Sequence, residues 1–406
     1  MKIKGTYLLV LVAMCGLIAS GVGLVTNVAG LFFDPVASEL GILKGEVSLT
    51  LTICNICFAL GGMAAPKLMK ARSPKPLLIA ATAVLAGSTA ALTLCHSIVT
   101  MYVLCILRGL AAGVVGMVFA TSVLNNWFVE GIGLVTSIAF GCSGIAGAVF
   151  SPILSGVITG GGWRMGYLVV AILTVLLNLP AILFLPSVDP KGCGKLALGA
   201  TSKPTQNEGK KTNVSVASTG GAISGILFAL VLVYSIFCSG LTGLPQHFPG
   251  MAESFGLGAA TGATMLSFCM VANTAGKVIL GILVDKFGAK RSILAYCVVV
   301  IASLLVFLFV RGPISVIVAA TLFGLCYSLA TVGISMTTRD VFGPQNYTRV
   351  YPTFSLGGNV ANAAFSSIIG FMYDFSGGYD LTLWVMLVMA IATAGLIFGA
   401  YAQKNA

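Results

Sequence analysis

Twelve runs of twenty or more predominantly apolar residues occupy most of this 406-residue chain. The hydrocarbon core of a bilayer is about 30 Å thick, and about twenty residues of helix cross it. Lipid offers backbone N–H and C=O groups no partner, so continuous apolar runs of this length are stable there only as helices. The runs cover approximately 6–33, 46–66, 76–95, 99–125, 133–158, 166–186, 222–246, 259–284, 291–310, 313–337, 350–372 and 381–402. The expectation is an all-α membrane protein of twelve transmembrane helices, and the lipid bilayer is its first partner.

Composition agrees. Hydrophobic residues make up 58% of the chain and charged residues 8%, whereas soluble domains carry roughly a quarter charged. The first stretch has the basic start of a signal peptide, but its apolar part is too long for an h-region and no small-residue cleavage site closes it. It reads as an uncleaved first span. Between the sixth and seventh runs lies SVDPKGCGKLALGATSKPTQNEGKKTNVSVASTGG, rich in Ser, Thr, Gly and Lys. Such a composition cannot bury a core and reads as a flexible linker. The domain organisation is therefore a six-helix bundle over 1–186, a linker over 187–221 and a second six-helix bundle over 222–406.

The net charge of +11 is explained by topology rather than by nucleic acid, which is not expected as a partner. With the N-terminus inside, alternating spans place Lys2, Lys4, Lys67, Lys70, Arg72, Lys75, Lys191, Lys195, Lys203, Lys210, Lys211, Lys286, Lys290, Arg291, Arg339, Arg349 and Lys404 on the inner side. Only Lys44, Arg164 and Arg311 fall outside. Inner loops carry the excess of Lys and Arg, so both termini and the linker are expected in the cytoplasm. The cysteines sit mostly inside apolar runs and form no Cys/His cluster, so no metal site, cofactor or disulfide framework is indicated. His96 and His247 are isolated and no nucleophile–base pair can be argued, which speaks against an enzyme.

Two cations remain, Arg108 and Lys277, both inside apolar runs. At 1.5 Å per residue each lies roughly 12–13 Å from the nearer membrane face, too deep to snorkel easily. The eleven acidic residues all fall in loops or at span ends. A mid-membrane ionisable group costs about 2.5–3.5 kcal/mol or more and is a functional-site hypothesis by default. The bland alternative is a cation that bonds helix carbonyls and ties helices together. With no internal carboxylate, an anion from outside the protein is the natural counter-charge. Asn273 and Thr274 precede Lys277 by four and three residues, on the same helix face. Asn27, Asn55, Tyr234, Tyr327, Asn359 and Asn362 are further polar groups within spans; each lines a cavity or makes an interhelical hydrogen bond. Ser143, Gly147 and Ser151, at four-residue spacing, allow close helix approach.

The segment GILVDKFGAKR (281–291) resembles the motif between spans eight and nine of the major facilitator superfamily, roughly G-x-L-x-D-(R/K)-x-G-(R/K)-(R/K). Gly281, Asp285, Lys286, Gly288, Lys290 and Arg291 stand in place. LRGLAAGVVG (107–116) is similar to the superfamily's span-four motif built on Arg108. The resemblance covers the whole chain. It implies alternating access, a monomer, and a gate latch in which Asp285 meets basic residues when the cytoplasmic side is closed. The first-half counterpart, GGMAAPKLMKARSPKP (61–76), has no Asp.

Within the superfamily, FFDPVASELGILKGEVSLTLTI (32–53), NNWFVEGIGLVTSIAFGCSGIAGAVFSPIL (125–154) and GGWRMGY (161–167) look like the monocarboxylate transporter group and its oxalate:formate antiporter branch. That branch typically shows Asn-x-x-Gly-Arg in span eight; here Asn273, Gly276 and Lys277 stand there. Animal-type monocarboxylate carriers have Asp at the Asn273 position. The span-eleven lysine of oxalate carriers has no counterpart in PTFSLGGNVAN (352–362). A single cation suits a monocarboxylate better than a dicarboxylate.

The expectation is a plasma-membrane carrier, in a bacterium the inner membrane, for small organic anions by proton symport or anion exchange. Substrate contacts are expected from Lys277, Arg108, Asn273, Asn27, Asn55, Tyr234, Tyr327 and Asn359, and gating from Gly281, Asp285, Gly288, Lys290 and Arg291. A drug exporter of the same superfamily is the alternative, although it usually wants a cavity acid. A non-transporting membrane sensor is the alternative of another class; it would be favoured by a large soluble domain.

Overall fold

The computed structural model describes residues 5–69, 74–129, 132–199 and 224–405. Ten helical stretches among them are long and apolar enough to cross a membrane. One of these, Leu134–Phe184, is two helices, because Gly162 holds φ 77° and ψ 167°, a conformation essentially confined to glycine. Gly343, with φ 75°, likewise separates 344–376 from the helix before it. Polar Asn359, Asn362, Ser366 and Ser367 make 344–376 the least apolar of the long helices, and it is the twelfth.

We number them α1 (Gly5–Asn27), α2 (Lys44–Leu68), α3 (Lys75–Ala91), α4 (Ile98–Trp127), α5 (132–161), α6 (163–184), α7 (Gly225–Leu241), α8 (Ala259–Phe287), α9 (Ala289–Phe309), α10 (Pro313–Gly343), α11 (344–376) and α12 (Asp380–Asn405). The first span ends earlier than hydropathy suggests. Residues after Asn27 turn into a short 3-10 segment, Ala29–Phe32, and the helix Phe33–Leu40. That helix is fastened to α6, where Trp163 Nε1 donates to Glu39 at 2.6 Å and Arg164 pairs with the same carboxylate.

Small residues let the helices approach. A Cβ on Gly109 of α4 would collide with the Cys54 backbone of α2. Across the two halves the main packing is α2 against α11 and α5 against α8. At one end, marked by Asp34, the halves are closed on each other. Gly30 N–H donates to Gln246 Oε1 at 3.1 Å. Asp374 of α11 accepts from the N–H groups of Lys44 (3.0 Å) and Gly45 (2.7 Å), capping the start of α2. Lys44 pairs with Asp34 and lies 3.7 Å above the Tyr373 ring. Side chains also interlock, since a Cβ on Gly250 would occupy the place of the Asp34 carboxylate.

The linker expectation needs correction over its first part. Residues 187–199 dock on the first half. Leu198 N–H donates to Trp127 O at 2.8 Å and Leu198 O accepts from Val129 N–H at 2.9 Å. Trp127 Nε1 donates to Ser187 O, Tyr7 OH to Leu196 O and Lys195 Nζ to Thr6 Oγ1. Backbone pairing of this kind needs no apolar side chains, so composition does not reveal it. The remainder of the linker, 200–221, lies outside the described residues.

Candidate functional site: a polar cavity between the halves

Regular α-geometry is interrupted at four places in or just beyond these helices, and all four supply the same cavity. The last nine residues of α1, Ala19–Asn27, wind as wider π-turns, and so do Leu329–Gly333 of α10. The α4 helix breaks at Gly116, and the chain after α7 loosens through Thr242–Gly243. Irregular backbone at membrane depth is tolerated where it lines a water-filled space, and π-turns frequently mark functional positions. From these segments Thr26, Asn27, Met117, Thr242, Gln246, Ala330 and Thr331 reach a cavity of about 200 Å³.

Its wall mixes apolar surface with many polar groups and, among the described residues, carries one charge. Asn27, Asn55, Gln246, Asn273, Asn359 and Asn362 bring amides; Thr26, Ser143, Ser239, Thr242, Tyr327, Thr331 and Ser366 bring hydroxyls; Lys277 brings the cation, and among the described residues no acid lines it. Gln246, Thr242, Ser366 and Asn27, on the side of the closed end, are buried, whereas Asn359 and Thr331 are exposed. The cavity is thus sealed towards Asp34 and opens towards Asp285.

Some of the amides are fixed by protein partners. Asn27 Nδ2 donates to Ser143 O at 2.9 Å, Thr26 Oγ1 to Asn55 Oδ1 at 3.3 Å, and Asn362 Nδ2 to Thr242 Oγ1 at 2.5 Å. Tyr327 OH donates to Thr242 O at 3.3 Å. Lys277 differs: it is half-buried, and among the described residues its ammonium has neither an ion pair nor a hydrogen bond. One turn away, the buried Asn273 Oδ1 has no partner, and its Nδ2 faces only the Met270 sulfur at 3.9 Å. Ser366 Oγ is also buried without a partner.

Of the residues expected at a substrate site, Lys277, Asn273, Asn27, Asn55, Tyr327 and Asn359 come together here. Arg108 and Tyr234 do not. Arg108 is buried behind α1, where its Nη2 donates to Leu24 O at 3.3 Å and its guanidinium lies 5.9 Å from the Tyr167 ring of α6. In this conformation it ties α4 to α1 and α6. Tyr234 is fully buried against Gly333. Thr274 turns from the cavity to α5, against Gly144. Sequence reading missed Gln246, Thr242 and Ser366, although Ser239, Thr242 and Gln246, like Asn359, Asn362 and Ser366, repeat at i, i+3 and i+7, the stripe of one helix face. Cys54 and Cys57 flank Asn55 at C-x-x-C spacing; both thiols are free.

At the open end, Gly288 joins α8 to α9 with φ 83° and ψ 157°, which explains the glycine in the 281–291 loop. Asp285 and Arg291 are exposed, and Asp285 makes no ion pair among the described residues. Lys290 rests over the Phe398 ring of α12 at 4.6 Å. A Cβ on Gly281 would meet nothing within 4 Å. Among the described residues, Asp285 makes none of the contacts expected of the latch.

Comparison with known proteins fits the architecture. The family model described as Major Facilitator Superfamily matches residues 14–315 and again 230–405. The chain belongs to the Major Facilitator Superfamily and is a transporter rather than an enzyme. The nucleoside transporter NupG is similar in structure, with a TM-score of 0.66 and 15% identity over 97% of this chain and 99% of that one. A D-xylose-proton symporter is similar at TM-score 0.67 and 14% identity, over 97% of this chain and 96% of that one. No curated protein matches the sequence.

Proposed function

We infer that the chain carries small organic anions, monocarboxylates in particular, by alternating access, with Lys277 as the counter-charge of the bound anion. The observation that carries this reading is the Lys277 ammonium, which among the described residues has no partner and shares its cavity with no acidic side chain. An uncharged solute such as the nucleoside or D-xylose of the structural neighbours would leave that ammonium unbalanced, and a cationic drug would be repelled. Arg stays protonated under all ordinary conditions, but Lys can release its proton, so Lys277 is also the group through which proton symport or anion exchange would be linked. With the positive-rich loops inside, the closed Asp34 end faces outwards and this conformation opens to the cytoplasm. The carrier works as a monomer in the plasma membrane, the inner membrane of a bacterium.

The test is uptake of labelled formate, acetate, lactate, pyruvate and oxalate into proteoliposomes, with and without an inward proton gradient, and as exchange against internal substrate. Uptake of a monocarboxylate that is lost in Lys277→Gln is the expected result. Losing one partner of a desolvated charge pair costs about 2–5 kcal/mol, which is at least about thirtyfold in affinity. Transport of cationic dyes with no anion moved would overturn the reading, and so would a Lys277→Gln protein that transports normally.

A further inference from the structure

The cavity holds more than a counter-charge, and its remaining free groups specify the rest of the ligand. Resting on the anion reading above, we propose that the preferred solute is a polyhydroxylated monocarboxylate, a sugar acid, rather than an unsubstituted short acid.

A carboxylate only accepts hydrogen bonds, so Lys277 satisfies it and an amide oxygen cannot. Asn273 Oδ1, beside Lys277, is buried and unpartnered. Asn27 and Asn362 each commit one of their two amide N–H groups, to Ser143 O and Thr242 Oγ1, and among the described residues the oxygen of each has no donor. Three amides therefore offer acceptors, and Ser366 adds a buried hydroxyl without a partner. A ligand with hydroxyls, which can donate to these oxygens and accept from the remaining amide N–H groups, completes them. A site built to bond a substrate hydroxyl discriminates strongly against an analogue lacking it, because its own polar groups are then left unpaired.

Shape points the same way. The cavity of about 200 Å³ has room for roughly six or seven waters at ~30 Å³ each. Formate or acetate displaces only a fraction of them. A four- to six-carbon acid fills more of the space and replaces displaced waters with its own hydroxyls, which keeps their hydrogen bonds.

The test is calorimetric titration of the purified protein with matched acids, butyrate against 2,3,4-trihydroxybutyrate and hexanoate against gluconate, together with neutral glucitol. The hydroxylated member of each pair should bind about tenfold tighter or more, the effect of pairing a buried polar group. Asn273→Leu and Ser366→Ala should each narrow that gap, while Lys277→Gln removes both acids. Equal binding of the members of each pair, both lost in Lys277→Gln, would overturn the hydroxyl inference and leave the anion reading standing. Glucitol bound as tightly as gluconate and indifferent to Lys277→Gln would overturn both. The wild-type series needs no variant, so a misfolded mutant leaves the result intact.

Discussion

Lys277 and Arg108 are the same kind of residue to a hydropathy count, and the fold gives them different surroundings. Lys277 faces the cavity and has no partner among the described residues, while Arg108 has a carbonyl of α1 and the face of Tyr167, with its buried Nε unpartnered. Their substitutions should therefore separate. Arg108→Leu removes the tie between α4 and α1 and strands a buried carbonyl, which costs about 1–3 kcal/mol. It should lower the Tm of the purified protein while leaving the affinity for the transported anion, measured by calorimetry, unchanged. An Arg108→Leu protein of normal Tm that no longer binds the anion would mean that the guanidinium reaches the solute.

At the scale of elements, several of the turns between helices rest on a glycine with positive φ. Gly162 links α5 to α6 with φ 77° and ψ 167°, and an L-residue held there costs on the order of 1–3 kcal/mol. Gly162→Ala should lower the Tm, whereas Gly156→Ala, inside α5 with open space around it, should leave it unchanged or raise it, because helix propensity adds up to about 1 kcal/mol of stability. The short helix Phe33–Leu40 depends on a titratable group. The hydrogen bond from Arg164, aided by that from Trp163, holds the Glu39 carboxylate below its ordinary range. A depressed carboxylate stabilises the docked helix at neutral pH, and that contribution is lost as pH falls through the depressed value. Trp163 emission, read in a protein whose Trp127 and Trp384 are replaced by Phe, should shift only on acidification below the ordinary carboxylate range. Glu39→Gln should remove that transition.

The whole molecule is arranged as a seam closed at one end and parted at the other. The closed end is held by Asp374 across the start of α2, by Lys44 over Tyr373 and by Gly250 making room for Asp34. Removing a helix cap costs about 0.5–2 kcal/mol, so Asp374→Ala should move the two-state balance towards opening at the Asp34 end by about 2- to 30-fold. Spin labels at Ser38 and Ser376, both exposed at that end, would read it as a new, longer distance in a background freed of the native cysteines. An unchanged distance distribution would show that the seam is held elsewhere.

The sequence by itself determined the twelve spans, the placement of Lys277 and the need for a turn glycine at position 288, because each is written in local composition. Hydropathy is a one-helix property; it registers how apolar a run is and where a charge interrupts it. What only the tertiary structure decided is which face of each helix meets which other. Asn27, Asn273 and Ser366 of α1, α8 and α11 converge with Gln246 from the turn after α7, beside the widened turns of α1 and α10. Tyr234 and Thr274, no less polar in the sequence, are rotated into packed interfaces. The docking of residues 187–199 was hidden for a related reason, since its hydrogen bonds run through backbone atoms that every residue shares. Helix rotation and backbone pairing are set by long-range contacts, and those contacts chose the cavity.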